Sequence, residues 1–411
     1  MREMKDSGIS WIADIPEHWS VSKIGGLYSL RVTKVSDRDY PPLSVTNKGI
    51  LPQLETAAKT NAHDDRKLVC KGDFAINSRS DRRGSCGISS YTGSVSLINT
   101  ILRPMTEMHP QYYDWLFHTI QFGDEFYKWG HGIVDDLWTT GWQDMKKISI
   151  PTPPITEQAV IADFLDEQCA EIDSLISDIQ SQIEALEEYK RSVITEAVTK
   201  GLDSDVEMRD SGVDYIGKMN TKWKLTKLRY ICEKLNRYFD SDTEPLICSN
   251  KGEVFPRGDS SIGLVSDNDK MFQGVHKGDL LIHGMDTWHG AIAVSDYDGK
   301  CTTVVHVCDS EQNKYFICYF LQMLAFKSVY KAISNGVREN TSDFRSWDKA
   351  GHIYITIPDI DEQNRIAEYI KEKVEHINAV IAEKKQQIET IEEYKKSLIF
   401  EYVTGKKEVQ A

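Results

Sequence analysis

Two long polar stretches of the chain carry apolar residues at heptad spacing. Ile172, Ile176, Ile179, Ile183, Leu186, Val193 and Ala197 follow alternating steps of four and three, broken at Lys190. Ile377, Ile381, Ile388, Ile391, Leu398 and Tyr402 repeat the pattern, broken at Lys384 and Lys395. A seam this narrow predicts a helix that needs a partner helix, and the two copies are the obvious pair. Pro153–Pro154 and Pro358 mark the entrances, where proline is tolerated. A helix from Glu157 to Thr199, about 43 residues, would span roughly 65 Å at ~1.5 Å per residue.

Shorter runs between these stretches read differently. "KLVCKGDFAINS" and "GSVSLINTILRP" predict strands separated by glycine-containing turns, and "QYYDWLFHTIQFGDEFYKW" predicts a helix. The order returns later as "GDLLIH", "CTTVVHVC" and "KYFICYFLQMLAFKSVYKAI". Short apolar strands, "KKISIPTP" and "HIYITIPD", lead into the long helices.

The recurrence covers the whole chain. "MKDSGISWIADIPEHWSVSKI" at Met4 returns as "MRDSGVDYIGKMNTKWKLTKL" at Met208, matching Trp19 to Trp223. "TNKG" echoes "SNKG", "KGDFAINSRSDRRG" aligns with "KGDLLIHGMDTWHG", and "PTPPITEQAVIADFL" aligns with "TIPDIDEQNRIAEYI". "IEALEEYKRSVITEAVTKG" is rewritten as "IETIEEYKKSLIFEYVTGK". Residues 1–152 and 206–357 therefore read as two globular domains, and 153–205 and 358–411 as helical spacers. The first helix ends near Lys200 and the second domain begins by about Met208, so that domain belongs at the far end of the helix. A second helix pairing with the first has to run back. The expected fold is α+β: two tandem mixed α/β domains separated by two long helices packed as an antiparallel coiled coil, with a pseudo-two-fold repeat.

Charge changes the picture only once it is divided. The net −14 falls mainly on 151–205, with 3 Lys+Arg against 13 Asp+Glu, while 1–150 balances 18 against 18. Residues 206–356 hold 19 against 20, and 357–411 hold 9 against 12. An acidic total therefore does not exclude a nucleic-acid partner; a local basic patch decides. No apolar run reaches the ~20 residues of a membrane span, and "MREMKDSGIS" lacks a signal-peptide core. Eight scattered cysteines without a CxxC read as reduced thiols of a cytoplasmic protein.

Catalytic motifs do not hold up. "YPPL" lacks the leading amide and trailing aromatic of an adenine-methyltransferase motif, and no GxxxxGK[ST] is present. Glu188–Lys190 and Glu393–Lys395 mimic a nuclease ExK but lie in heptad helices, where i,i+4 ion pairs explain them. His283 and His289 have no further ligands nearby in sequence for a zinc site.

Binding chemistry remains. The loop "INSRSDRRGS" offers Asn77, Ser78, Arg79, Arg82 and Arg83. Arginine's fork suits guanine O6/N7 and phosphate, while asparagine suits adenine; the alternative is a solubilising surface loop. The equivalent loop of the second half carries His283, Asp286, Trp288 and His289 on the same frame. Asn47–Lys48 and Asn250–Lys251, each followed by glycine, are candidates for contact or for plain turn chemistry. A third polar loop brings Arg338, Asn340, Thr341 and Arg345, whereas Trp142 and Trp347 read as core.

The tandem layout, the Gly-Asp-apolar strands, the Pro-rich entries to Glu-Gln helices and the Glu-Glu-Tyr-Lys helix ends, all present twice, resemble the specificity subunit of a type I restriction–modification system. The resemblance implies two target-recognition domains that read the half-sites of a bipartite double-stranded DNA target. It implies two methyltransferase (modification) subunits docked along the helices, and restriction/translocase subunits joined to them. The chain itself would be non-catalytic and without cofactor; S-adenosylmethionine, ATP and Mg2+ would serve the assembled complex. A coiled-coil adaptor and a methyltransferase or nuclease are the competing classes.

Overall fold

The computed structural model describes residues 2–53, 63–79, 82–132, 138–203, 205–240, 242–258, 271–333 and 344–410. The chain divides into two units, Met1–Ile179 with Lys385–Ala411, and Gln180–Lys384. Each unit holds one globular domain, the start of the long helix that leaves it, and the end of the other long helix.

In the first unit a four-stranded antiparallel sheet runs in the order Cys86–Ile88, Phe74–Asn77, Asn99–Pro104, Tyr28–Leu30. Beside it, Arg66–Val69 pairs with Gly93–Ser96 and Lys34–Val35, and Leu43–Thr46 forms a hairpin with Gly49–Pro52. The second unit repeats the order as Ile292–Val294, Leu280–His283, Val305–Asp309, Glu233–Leu235. There Phe272–Val275 pairs with Gly299–Thr302, and Leu246–Cys248 pairs with Val254–Pro256. Helices cover one face of each sheet, and Phe74, Tyr113, Phe117 and Phe122 pack as a chain of rings in the first core.

The repeated Lys-Gly-Asp has a structural reason. Asp73 is buried, accepts the Cys70 N–H (2.8 Å) and holds the Arg31 guanidinium through both oxygens at 2.6 and 2.9 Å. Asp279 is equally buried; it accepts the His276 N–H (2.8 Å) and pairs with Arg237. Each aspartate closes the turn that aims the following strand, and its charge is paired, as burial requires.

Several predicted runs are divided, "GSVSLINTILRP" between Gly93–Ser96 and Asn99–Pro104 of different sheets among them. "QYYDWLFHTIQFGDEFYKW" forms Pro110–Phe117 and Ile120–Lys128, because the Thr119 hydroxyl accepts from Phe122 N–H and starts a new helix. The later helical run breaks into Lys314–Phe326 and Val329–Ile333 around Ser328, at φ +57°. "CTTVVHVC" splits between Gly299–Thr302 and Val305–Asp309, which belong to different sheets.

The long helices run Ile155–Lys200 and Ile360–Val403, 46 and 44 residues. In the first unit Phe164 packs on Tyr402 at 4.5 Å and Lys395 reaches Asp173 at 2.5 Å. In the second, Lys190 donates to Asn378 at 3.1 Å and Lys384 to Gln182 at 2.5 Å. Low numbers of one helix meet high numbers of the other, so the pairing is antiparallel in both units. Ile179, Ile183, Val193, Ala197, Ile377, Ile381 and Leu398 of the heptad seams are buried.

Each helix is tied to a domain at both ends. Gln158 donates to Pro153 O (2.8 Å) and accepts from His109 N–H (2.9 Å); Gln363 does the same with Pro358 O (2.9 Å) and Asn313 N–H (3.0 Å). Buried Trp19 and Trp223 donate to Glu157 and Glu362 at 3.0 and 3.1 Å. The other helix's end lies against the same indoles. Gly201 (φ +86°) faces Trp223, and Gly405 (φ +72°) faces Trp19 and Pro16 so closely that a methyl group would lie 2.4 Å from the proline ring. Glycine thus serves as the left-handed helix cap and permits the close approach.

Gln363→Leu leaves the buried Pro358 carbonyl and the part-buried Asn313 N–H without that partner, at a cost of about 1–3 kcal/mol for the buried carbonyl and less for the N–H. The thermal midpoint of the purified chain should drop clearly, and an unchanged midpoint refutes the clamp. A second expectation concerns pH. Buried His306 donates through Nε2 to Phe344 O (2.6 Å), and desolvation holds its pKa below the ordinary value. A depressed folded pKa means that the unfolded chain binds the proton first. Stability is therefore full above the unfolded value of about 6.5 and is lost as pH falls below it. Urea midpoints at successive pH values should decline on that side, and His306→Gln should flatten the decline.

Candidate nucleic-acid interface

The Leu43–Thr46 and Gly49–Pro52 hairpin leaves Asn47 and Lys48 exposed at its tip. The turn is held locally: Lys48 N–H donates to Thr46 Oγ1 (3.1 Å), and that hydroxyl donates to Gly49 O (2.9 Å). The Phe74–Asn77 strand opens into the arginine loop. Asn77 Oδ1 accepts the Arg79 N–H (3.1 Å), and the Ser78 hydroxyl bonds Thr100 Oγ1 (2.9 Å). Arg79 forms a backbone bridge with Thr139. Arg83 lies 4.0 Å above the Tyr127 ring and donates to Asp124 Oδ1 (3.1 Å), yet its side chain stays 59% exposed.

These pieces surround an open cleft of about 810 Å³, lined by four of the candidates, Asn47, Asn77, Arg82 and Arg83. Arg79 lines a second, 20 Å³ hollow with Arg82, Arg83 and Tyr127. Lys48 and Ser78 line neither. Two further lining residues were missed in the sequence: Arg66 and Asn99, 5% and 4% exposed. Arg66 donates from Nε to Ser94 Oγ (2.9 Å) and from Nη2 to Ser94 O (3.0 Å), with no carboxylate at ion-pair distance among the described residues. Desolvation pushes its pKa down from the usual guanidinium range. Within strand-like runs neither residue stands out; only the register places them at the cleft.

In the second unit His283 ends the Leu280–His283 strand. Its Nδ1 accepts the Asp286 N–H (3.1 Å), so the ring is neutral and carries its proton on Nε2. Burial lowers its pKa against the opposing pull of the Asp286 carboxylate. The 3.4 Å approach of Asp286 Oδ2 to Nδ1 is therefore not an ion pair. Trp288 packs partly buried against the hydrophobic core with Lys331 over its ring at 4.5 Å, and the exposed His289 ring lies 3.4 Å from the Trp288 ring between centroids. Asn250 and Lys251 are exposed at their turn, where Lys251 N–H donates to Ser249 Oγ (3.3 Å).

Arg338, Asn340 and Thr341 lie outside the described residues. Exposed Arg345 follows Phe344, whose N–H donates to Gly284 O (3.0 Å), so it stands beside the His283 loop. Trp142 and Trp347 pack partly buried against the two cores, as their pattern predicts. Among the described residues no cluster of three or more His, Cys, Asp or Glu is placed to hold a metal ion. No described helix is long and apolar enough to cross a membrane.

No family model matches the chain. It is 26% identical over 280 residues to a provisionally named type I restriction enzyme MjaX specificity subunit of Methanocaldococcus jannaschii, covering 64% of this chain and 60% of that protein. The chain thus spans less than two thirds of that relative's length. It is 24% identical over 422 residues to the type I restriction enzyme MjaVIII specificity subunit of the same organism, covering 95% of this chain and 93% of that one. Among solved structures, a chain from work on complex assembly and conformational transition of the type I R-M system shares the fold. It aligns with TM-score 0.71 and 11% identity over 95% of this chain and 99% of that one. In sequence the chain is thus similar to two specificity subunits of type I restriction enzymes, and in fold to a chain of a type I R-M system.

Proposed function

We propose that the chain reads a bipartite double-stranded DNA target, one half-site per globular domain, on behalf of a restriction–modification complex. One observation carries this reading: the two domains repeat a strand frame in order and register, and change the polar side chains at its mouth. Where the first carries Asn77, Arg82 and Arg83, the second carries His283, Trp288 and His289. Similar frames with unlike hydrogen-bonding edges suit unlike base sequences, because base edges in the major groove differ in donors and acceptors. Arg83, exposed and held over Tyr127, suits a phosphate; phosphate contacts position a protein on DNA without reading it.

The helices supply the spacing. Their outward faces expose Tyr189 and Tyr394, 53% and 56% accessible, at equivalent points of the repeat. These faces are offered to two methyltransferase subunits, with restriction/translocase subunits joined to those. S-adenosylmethionine, ATP and Mg2+ belong to the partners, and the chain itself would carry no cofactor.

Methylation profiling of cells carrying the assembled complex tests the proposal. Arg82→Ala, if Arg82 reads a base, should cost ~1–3 kcal/mol and relax one position of one half-site. Arg83→Ala should weaken binding to all sequences alike and reduce the salt slope by about one. Changes at His283 and His289 should alter only the other half-site; an effect on both half-sites sinks the one-domain-per-half-site assignment. Inserting one heptad into both helices should lengthen the spacer by ~3 base pairs, from ~1.5 Å per residue against ~3.4 Å per base pair, with both half-sites kept. An unchanged spacer refutes the ruler.

A further inference from the structure

The cleft of the first domain contains a polar pair that its own fold does not require. Arg66 is the register partner of Ser96, and Asn99 donates through Nδ2 to Ser96 O (3.1 Å), so both residues gather around Ser96 at the cleft wall. The Ser96 carbonyl fixes which end of the Asn99 amide is nitrogen. Asn99 Oδ1 is then left buried with no hydrogen-bond partner among the described residues. Arg66 spends Nε and Nη2 on Ser94, and Nη1 makes no hydrogen bond among the described residues. A buried polar atom without a partner, as Asn99 Oδ1 is here, is uncommon and calls for an explanation.

The second domain provides the comparison. Arg66 pairs with Ser96 as Phe272 pairs with Thr302, and Asn77 pairs with Asn99 as His283 pairs with Val305. The framework bond at this position is kept: Lys67 Nζ donates to Asn99 O (2.7 Å), and Gln273 Nε2 donates to Val305 O (2.5 Å). The backbone is thus held alike in both domains, while the side chains change from Arg and Asn to Phe and Val. The strands are built with apolar residues at these two positions, so folding does not explain the polar pair.

We propose that Arg66 and Asn99 are specificity-determining residues that together recognise one adenine of the half-site read by the first domain. Arg66 offers an N–H and Asn99 Oδ1 offers an acceptor. Adenine presents N7, an acceptor, beside the N6 amino donor; guanine presents two acceptors, thymine an acceptor and a methyl group, and cytosine a donor alone. Among single base edges adenine alone matches both; a G·C pair offers an acceptor and a donor only across its two bases, and the analogue test below separates the two. The cleft, about 810 Å³, lies within the ~300–1,000 Å³ of sites that take small organic groups, and Arg83 at its wall suits a flanking phosphate. This assignment rests on the DNA-reading function proposed above.

The test uses the assembled complex and unmethylated duplexes of its own target. Each adenine of the first half-site is replaced in turn by purine, which lacks the 6-amino group, or by 7-deazaadenine, which lacks N7. At one adenine both analogues should weaken binding about tenfold or more, the effect of losing a good base contact. Asn99→Val should bind the purine duplex and the adenine duplex equally, and Arg66→Phe should do so for 7-deazaadenine. Both substitutions import the second domain's own residues, and retained recognition of the second half-site reports that the chain is folded. Should the variants fail to fold, the wild-type analogue profile decides. A first half-site without adenine, or adenines that tolerate both analogues, overturns the proposal; so does an Asn99→Val complex as sensitive to the 6-amino group as wild type. A wild-type complex that marks no bipartite sequence overturns the DNA-reading function as well, a result distinct from a bipartite target indifferent to these atoms.

Discussion

The joint between globular domain and helix is the constraint on which the rest depends. A long exposed helix has little of its own to hold it at an angle to a domain, since most helical stability comes from tertiary packing. Here the first turn of each helix is locked by two side chains adjacent in sequence. Gln158 and Gln363 bridge a proline carbonyl to the backbone N–H at the start of a domain helix. Glu157 and Glu362 meanwhile receive the indole N–H of a buried tryptophan. The Glu-Gln pair thus joins three segments distant in the chain, and a small error in that joint would be magnified along a 46-residue helix.

The helix seam is pinned by its exceptions. A purely apolar heptad stripe tolerates sliding and alternative partners, whereas a polar residue at a seam position specifies register at some cost in stability. The three lysines that interrupt the pattern each find a polar partner on the opposite helix: Lys190 with Asn378, Lys384 with Gln182, Lys395 with Asp173. The first and last of these occupy equivalent places in the repeat, 205 residues apart in both members. One contact is an ion pair and the other an ammonium–amide hydrogen bond, so the geometry is shared while the charge is not.

Much of this was legible beforehand. Heptads, repeated proline entries and the matched tryptophans are periodic or duplicated features, and periodicity reports which face of an element is buried. Most of the exposed candidates could also be named, because arginine clusters and turn residues stand out by type. What could not be read was which of them share a surface. Lys48 and Ser78 turn out to serve a turn and a Thr100 contact away from the cleft, while Asn47, Asn77, Arg82 and Arg83 share it. Splitting "CTTVVHVC" between two sheets was equally hidden, since both halves have the same β-forming composition.

The sequence by itself determined the tandem architecture, the antiparallel direction of the helices and the kind of chemistry at each loop. Linker length, duplication and residue type are local properties, and they leave few topologies open. Tertiary structure alone decided the cleft, the neutral state of His283 and the burial of Arg66 on Ser94 with no carboxylate at ion-pair distance among the described residues. Each of these depends on register between strands or on burial, which are set by residues far apart in the chain. Asn99 is the plainest case. As a residue in a strand it is unremarked, and only the Ser96 carbonyl beside it leaves its oxygen buried and unpaired.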